Sequence, residues 1–242
     1  MTIASNNRMT DDRQSNKIPV QQQTPERHIQ TNKTQPSKMD FKISPKYKAS
    51  KWLSLNLTQK DSADWQIAVD IFEDRIKGRF LKQVEVLESN SDRQIKYFSG
   101  FAIMAIDCLL IETLQQFYKG TKRTGKAQDE VMFHEFFQRT LDLSSFFDTA
   151  AKTNVFYVQI RCGILHQAQT KKKSTIHIRS GTPIAQWVDI ADHSQGLSIN
   201  RHKFHKALVG VYEKYVADLR SNNNLNLRRK FERKMNMIAN QT

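Results

Sequence analysis

The chain has 242 residues, 38% of them hydrophobic, and a formal net charge of +14. That length holds one sizeable domain, and only 8 Gly and 5 Pro argue against a turn-rich β-sandwich and for long helices. The charge excess points to a polyanionic partner, RNA or DNA foremost. Cys108 and Cys162 form neither a CxxC nor a disulfide framework, and read as buried thiols of a reducing compartment. The first thirty residues lack the apolar stretch of a secretory signal. The longest apolar run, Phe101 to Ile111, is broken by Asp107 and is too short to span a bilayer. The expected location is cytoplasmic, with no membrane partner.

In chain order, residues 1–48 form a polar leader rich in Gln, Asn, Ser, Thr and Lys, without hydrophobic period and expected to be disordered. Folding is expected from about Trp52. Asp61 or Ser62 suits a helix cap, and Trp65, Val69, Phe72, Ile76, Phe80, Val84 and Leu87 then recur at three- and four-residue spacing. A second helix runs from about Arg93 to Lys119 and stops at Gly120. Its middle, residues 101–106, is apolar on every side, the mark of a central bundle helix. Residues 121–127 form a basic loop. A third helix covers roughly Gln128 to Leu141, and a fourth runs from around Ser144–Asp148 to about Gln169, ending in Lys171, Lys172 and Lys173.

Short strands are expected near 174–200, where Thr175 to Arg179 alternates and Ser180 to Pro183 turns. A helix over about Arg201 to Ser221 follows, with Phe204, Leu208, Val211, Tyr212 and Tyr215 on one face. Asn222 to Asn224 breaks it, and residues 222–242 read as a basic C-terminal helix and tail. The expected architecture is mainly α: a helical domain over 49–221 with a small β-appendage, then the tail.

The residues best suited to chemistry lie on the fourth helix, in Tyr157-Val158-Gln159-Ile160-Arg161-Cys162-Gly163-Ile164-Leu165-His166. Five residues of α-helix place Arg161 and His166 about 140° apart with about 7.5 Å of rise, so one helix does not align them. A second copy across a two-fold axis closes the gap, and Cys162 and Gly163 are small enough to admit it. An imidazole takes or gives a proton near neutral pH, and a guanidinium stabilises charge growing on phosphate oxygens. Against this stands the plain alternative that a buried Arg and His satisfy local acceptors.

The segment Arg161-Cys162-Gly163-Ile164-Leu165-His166, on the last long helix of a bundle, resembles the Arg-x4-6-His signature of the HEPN superfamily. The likeness covers about residues 60–170. It extends to HEPN proteins of bacterial plasmids and mobile elements, through Gly100 to Ala105 leading into Leu109 to Leu114. The resemblance implies an up-and-down helical bundle and a homodimeric, metal-independent endoribonuclease of toxin or antiviral type, without cofactor. Its site is then composite, at the dimer interface, with Arg161 and His166 in the two signature positions. Among its partners the resemblance admits an antitoxin protein. Cys162 departs from the polar residue that many active members carry after the Arg.

Four further readings attach to this site. Asp107 and Glu112 on the apolar second helix each need a partner: Arg161 or His166, or a structural base such as Arg75 or Arg79. Tyr157 falls one turn before Arg161, against phosphate or base, or in the core. Lys171, Lys172 and Lys173 make an RNA-backbone patch or a solvated charge run. His202 and His205 have metal-like spacing but no third ligand, and read as surface histidines. The alternative function is a non-catalytic RNA-binding or protein-interaction module, and a third is DNA binding through Leu225 to Met237.

Overall fold

The computed structural model describes residues 40–59, 61–122, 129–221 and 223–240; the leader over 1–39 and most of the basic loop, 123–128, lie outside the described residues. The fold is mainly α with a small three-stranded sheet. Its helices are α1 (Ala49–Leu53), α2 (Ala63–Ile76), α3 (Lys82–Glu88), α4 (Arg93–Phe98), α5 (Gly100–Lys119), α6 (Asp129–Phe137), α7 (Leu141–Ser144), α8 (Ala150–Phe156), α9 (Cys162–Gln167), α10 (Arg201–Arg220) and α11 (Leu225–Ala239). Two wide turns of π-helix, Lys77–Leu81 and Tyr157–Arg161, join α2 to α3 and α8 to α9. The single helix expected from Arg93 to Lys119 is two, divided at Ser99. Gly120 closes α5 in the left-handed conformation, φ 67°, which glycine adopts without steric cost.

The strands β1 (Thr175–His177), β2 (Ala185–Trp187) and β3 (Leu197–Asn200) are ordered β1-β3-β2. β1 runs parallel to β3 with Ile176 opposite Ile199, and β2 antiparallel with Gln186 opposite Ser198. β3 feeds directly into α10, whose cap is the Asn200 side chain on the Lys203 N–H.

Helix α5 is not buried all round. Ile103, Met104, Asp107, Cys108, Ile111 and Leu114 are buried, while Phe101 and Leu109 are 41% and 46% exposed. It is the one helix among the described residues long and apolar enough to cross a membrane, but half of it is buried within the fold. Its inner face and that of α10 meet around Phe72, whose ring lies 4.7 Å from Phe117 and 5.4 Å from Tyr215.

Two boundaries differ from the sequence expectation. Residues 40–48 belong to the folded part: Ile43 and Ser44 are buried, and Asp74 on α2 accepts from the Ser44 hydroxyl and the Lys46 N–H. Nor is the C-terminal helix a separate tail. Phe231 of α11 sits among Trp52, Trp65, Phe72 and Phe117, with ring centroids 5.5–6.3 Å away. Arg228 and Lys234 are buried with it, so α11 turns part of its basic side inward.

Candidate functional site

The α8–α9 segment begins with Thr149, whose hydroxyl caps it by accepting from the Lys152 N–H. The wide turn then shifts the helical phase, and the segment ends at Ala168, a left-handed residue with φ 53°. A second left-handed residue, Lys172, follows in the turn to β1. The turn folds back on the helix that precedes it. The Gln159 carbonyl accepts the Lys171 N–H at 2.9 Å. The buried Gln159 amide accepts from Ser174 Oγ and donates to the Ser194 carbonyl, both at 2.8 Å.

That close return explains Gly163. A Cβ there would lie 2.5 Å from the Gln169 carbonyl oxygen and 3.3 Å from the Lys171 nitrogen. The space expected to admit a second copy of the helix is filled by the chain's own turn. Gly163 is required within one molecule, and is no argument for a dimer.

Arg161 is joined to α5. Its Nε and Nη2 donate to Glu112 Oε1 at 3.1 and 2.9 Å, with side chains 16% and 20% exposed, leaving Nη1 outside the ion pair. Burial alone would lower the guanidinium pKa, but the hydrogen bonds and charge of Glu112 outweigh it and raise it further, so Arg161 stays cationic. The Tyr157 ring lies under the guanidinium, 5.3 Å from centroid to Cζ, and meets Phe133 edge-on at 5.5 Å. Tyr157 thus packs into the core, one of its two expected places, with its ring also facing the arginine.

His166 stands apart. It is exposed near the end of α9 and makes no hydrogen bond or ion pair among the described residues. No bond links it to Arg161, in keeping with the angular offset that an α-helical segment imposes. The structure therefore brings Glu112, Tyr157 and Arg161 together and leaves His166 on the outer surface.

Asp107 belongs elsewhere. It is fully buried and its Oδ1 lies 2.6 Å from Nδ1 of His205 on α10, so neither Arg161 nor His166 is its partner. Its Oδ2 has no hydrogen-bond partner among the described residues. Burial raises the Asp107 carboxyl above its ordinary range, offset in part by His205. Burial would lower His205, but the Asp107 hydrogen bond and charge outweigh it and raise the imidazole. His205 is thus no surface residue, with a side chain 12% exposed. His202 turns to a different carboxylate, Glu88, at 2.9 Å. The signal for His205 was present: it falls four residues from Arg201 and three from Leu208, on the buried stripe of α10, while α5 carried a carboxylate in want of a partner.

The three lysines separate. Lys172 Nζ donates to the Ser194 carbonyl at 2.9 Å, whereas the ammonium groups of Lys171 and Lys173 make no bond or ion pair among the described residues. What fold and site define is a mainly α protein with a carboxylate-anchored arginine and, apart from it on the same segment, an exposed imidazole followed by a basic turn. No family model, curated protein or solved structure matches the chain.

Proposed function

We propose that the chain is a HEPN-type, metal-independent endoribonuclease that works in the cytoplasm as a homodimer, in the manner of a toxin or antiviral effector. The observation that carries this reading is the contrast between Arg161 and His166. Glu112 fixes the guanidinium and keeps it charged, with Nη1 outside the pair, while five residues on the imidazole is exposed and unengaged. In the proposed reaction the imidazole takes the proton of a ribose 2′-hydroxyl, and the oxygen attacks the adjacent phosphorus. The bond from phosphorus to the 5′-oxygen breaks, the imidazolium gives its proton to that oxygen, and a 2′,3′-cyclic phosphate remains. Arg161 stabilises the charge that builds on the non-bridging oxygens. Lys171 and Lys173 hold the flanking backbone.

The dimer rests on two supports. The offset between Arg161 and His166 within one chain calls for a second copy to complete the site. Exposed apolar residues also flank the ion pair at helical spacing: Leu109 three residues before Glu112, and Val158 and Leu165 on either side of Arg161, each 39–46% exposed.

Mixing Arg161→Ala with His166→Ala chains under exchange conditions tests the composite site. Each homodimer is inactive. A heterodimer in which one chain lends Arg161 and the other His166 regains one intact site, so the mixture recovers cleavage. A mixture that forms heterodimers yet stays inactive overturns the composite arrangement.

A further inference from the structure

A second basic concavity lies where the loop after β1 meets the start of α10. It is a cavity of about 460 Å³, lined by Glu88, Lys96, Ile178, Arg179, Arg201 and Lys203 among others, and by no residue of the Arg161 site. Its size falls within the range of small-molecule sites. Four of those side chains are cationic against one carboxylate, and that carboxylate, Glu88, already accepts from His202 at 2.9 Å.

The decisive residue is Arg201. It is 2% exposed, yet no carboxylate lies within ion-pair distance of it among the described residues. Its Nη2 donates to the Lys96 carbonyl, and its buried Nε has no hydrogen-bond partner among the described residues. Burial disfavours the charged guanidinium and the more distant charge of Glu88 offsets this only in part, so an anion held in the cavity it lines relieves the remaining cost. The first turn of the 20-residue helix α10 forms part of the same wall. The Asn200 side chain takes the Lys203 N–H, which leaves the Arg201 and His202 N–H groups without an acceptor within the helix, and the dipole favours negative charge there.

The loop is built in advance. Asn200 Nδ2 donates to the Arg179 carbonyl at 2.9 Å and to Thr182 Oγ1 at 3.0 Å, and Lys203 Nζ donates to the Thr182 carbonyl at 2.5 Å. These bonds fix residues 179–182 against the helix start before any ligand arrives. The remaining wall includes Ile178.

We propose that this cavity binds a small phosphate monoester: the phosphate seated on Arg201, Arg179 and the first turn of α10, and a compact apolar body against Ile178. The proposal does not rest on the RNA-cleavage reading. Its test is calorimetric titration of the full chain with inorganic phosphate and with phenyl phosphate, at ionic strength matched with sodium chloride. Both bind wild type, phenyl phosphate at least as tightly. The exposed-residue variant Arg179→Gln, folded by circular dichroism, weakens binding about tenfold, the order expected for a hydrogen bond to a charged group; Lys203→Gln weakens it less, by releasing the loop that its ammonium ties through the Thr182 carbonyl. Arg201→Met abolishes it, and His166→Ala binds as wild type. Absence of binding beyond chloride, equal affinity in the Arg179→Gln/Lys203→Gln double variant, or loss of binding in His166→Ala overturns the site. Weaker binding of phenyl phosphate than of inorganic phosphate overturns the apolar half of the proposal.

Discussion

The Arg161 guanidinium donates twice to one carboxylate oxygen of Glu112, across the contact between the α8–α9 segment and α5. The pair sets the direction of the guanidinium, so Glu112 is a positioning residue in the proposed reaction. Glu112→Ala is expected to lower kcat for RNA cleavage roughly 10- to 100-fold while KM changes little, since small misplacement of a catalytic group is enough for such losses. Arg161→Ala falls further, about 100-fold or more. A Glu112→Ala protein with unchanged kcat removes the positioning role.

Gly163→Ala tests the packing beneath the site. Alanine gains roughly 1 kcal/mol over glycine inside a helix, but its Cβ would stand 2.5 Å from the Gln169 carbonyl oxygen, a backbone atom tied into the turn. Overpacking of that kind costs about 1–3 kcal/mol, so the net loss expected by urea denaturation is up to about 2 kcal/mol. The oligomeric state stays as in wild type. A variant of undiminished stability that loses its dimer would return Gly163 to an interface.

The buried Asp107–His205 pair gives a pH signature. His205 is raised above its ordinary 6.5, so its stabilising contribution is complete below that pH and is lost as pH rises through the folded value. Asp107, raised above 3.8, acts with the same sign. Glu88 adds its negative charge to both groups, and so strengthens the effect. Lys234, pushed down to about 8 by burial, acts in the opposite sense only above that pH. Stability measured by urea denaturation is therefore expected to fall as pH rises above 6.5. Asp107→Asn should flatten that fall. An equal slope in wild type and variant contradicts the assignment.

Phe231→Ala measures how far α11 belongs to the core. Its ring meets four other aromatic rings within 6.3 Å, so the expected cost is about 3–5 kcal/mol by urea denaturation. A loss below 1 kcal/mol would restore α11 as an appended tail.

The legible parts of the fold were those written in local periodicity. The stripe through Trp65, Phe72 and Ile76, the Gly120 stop and the three strands are all carried by neighbouring residues. Residues 40–48 were not legible, because their order comes from Asp74, some thirty residues away. In the same way the basic composition of α11 concealed the Leu227, Phe231 and Met235 stripe that buries it. At the site, Glu112 needs a cation and Arg161 supplies it, as the cost of desolvating a lone carboxylate implies. Asp107 obeyed the same rule with a partner 98 residues on, hidden by reading His205 as surface. Gly163, expected to admit a second helix, instead makes room for the chain's own turn. That turn, folding back through the left-handed Ala168 and Lys172, is invisible to spacing alone.

The most direct test of the proposed function is cleavage of RNA by purified wild-type and His166→Ala protein in EDTA, with the product ends identified. The account predicts metal-independent fragments ending in 2′,3′-cyclic phosphate from wild type, and loss of cleavage in a folded His166→Ala protein. Equal cleavage by both proteins, or no cleavage by wild type under conditions where it binds RNA, would contradict it.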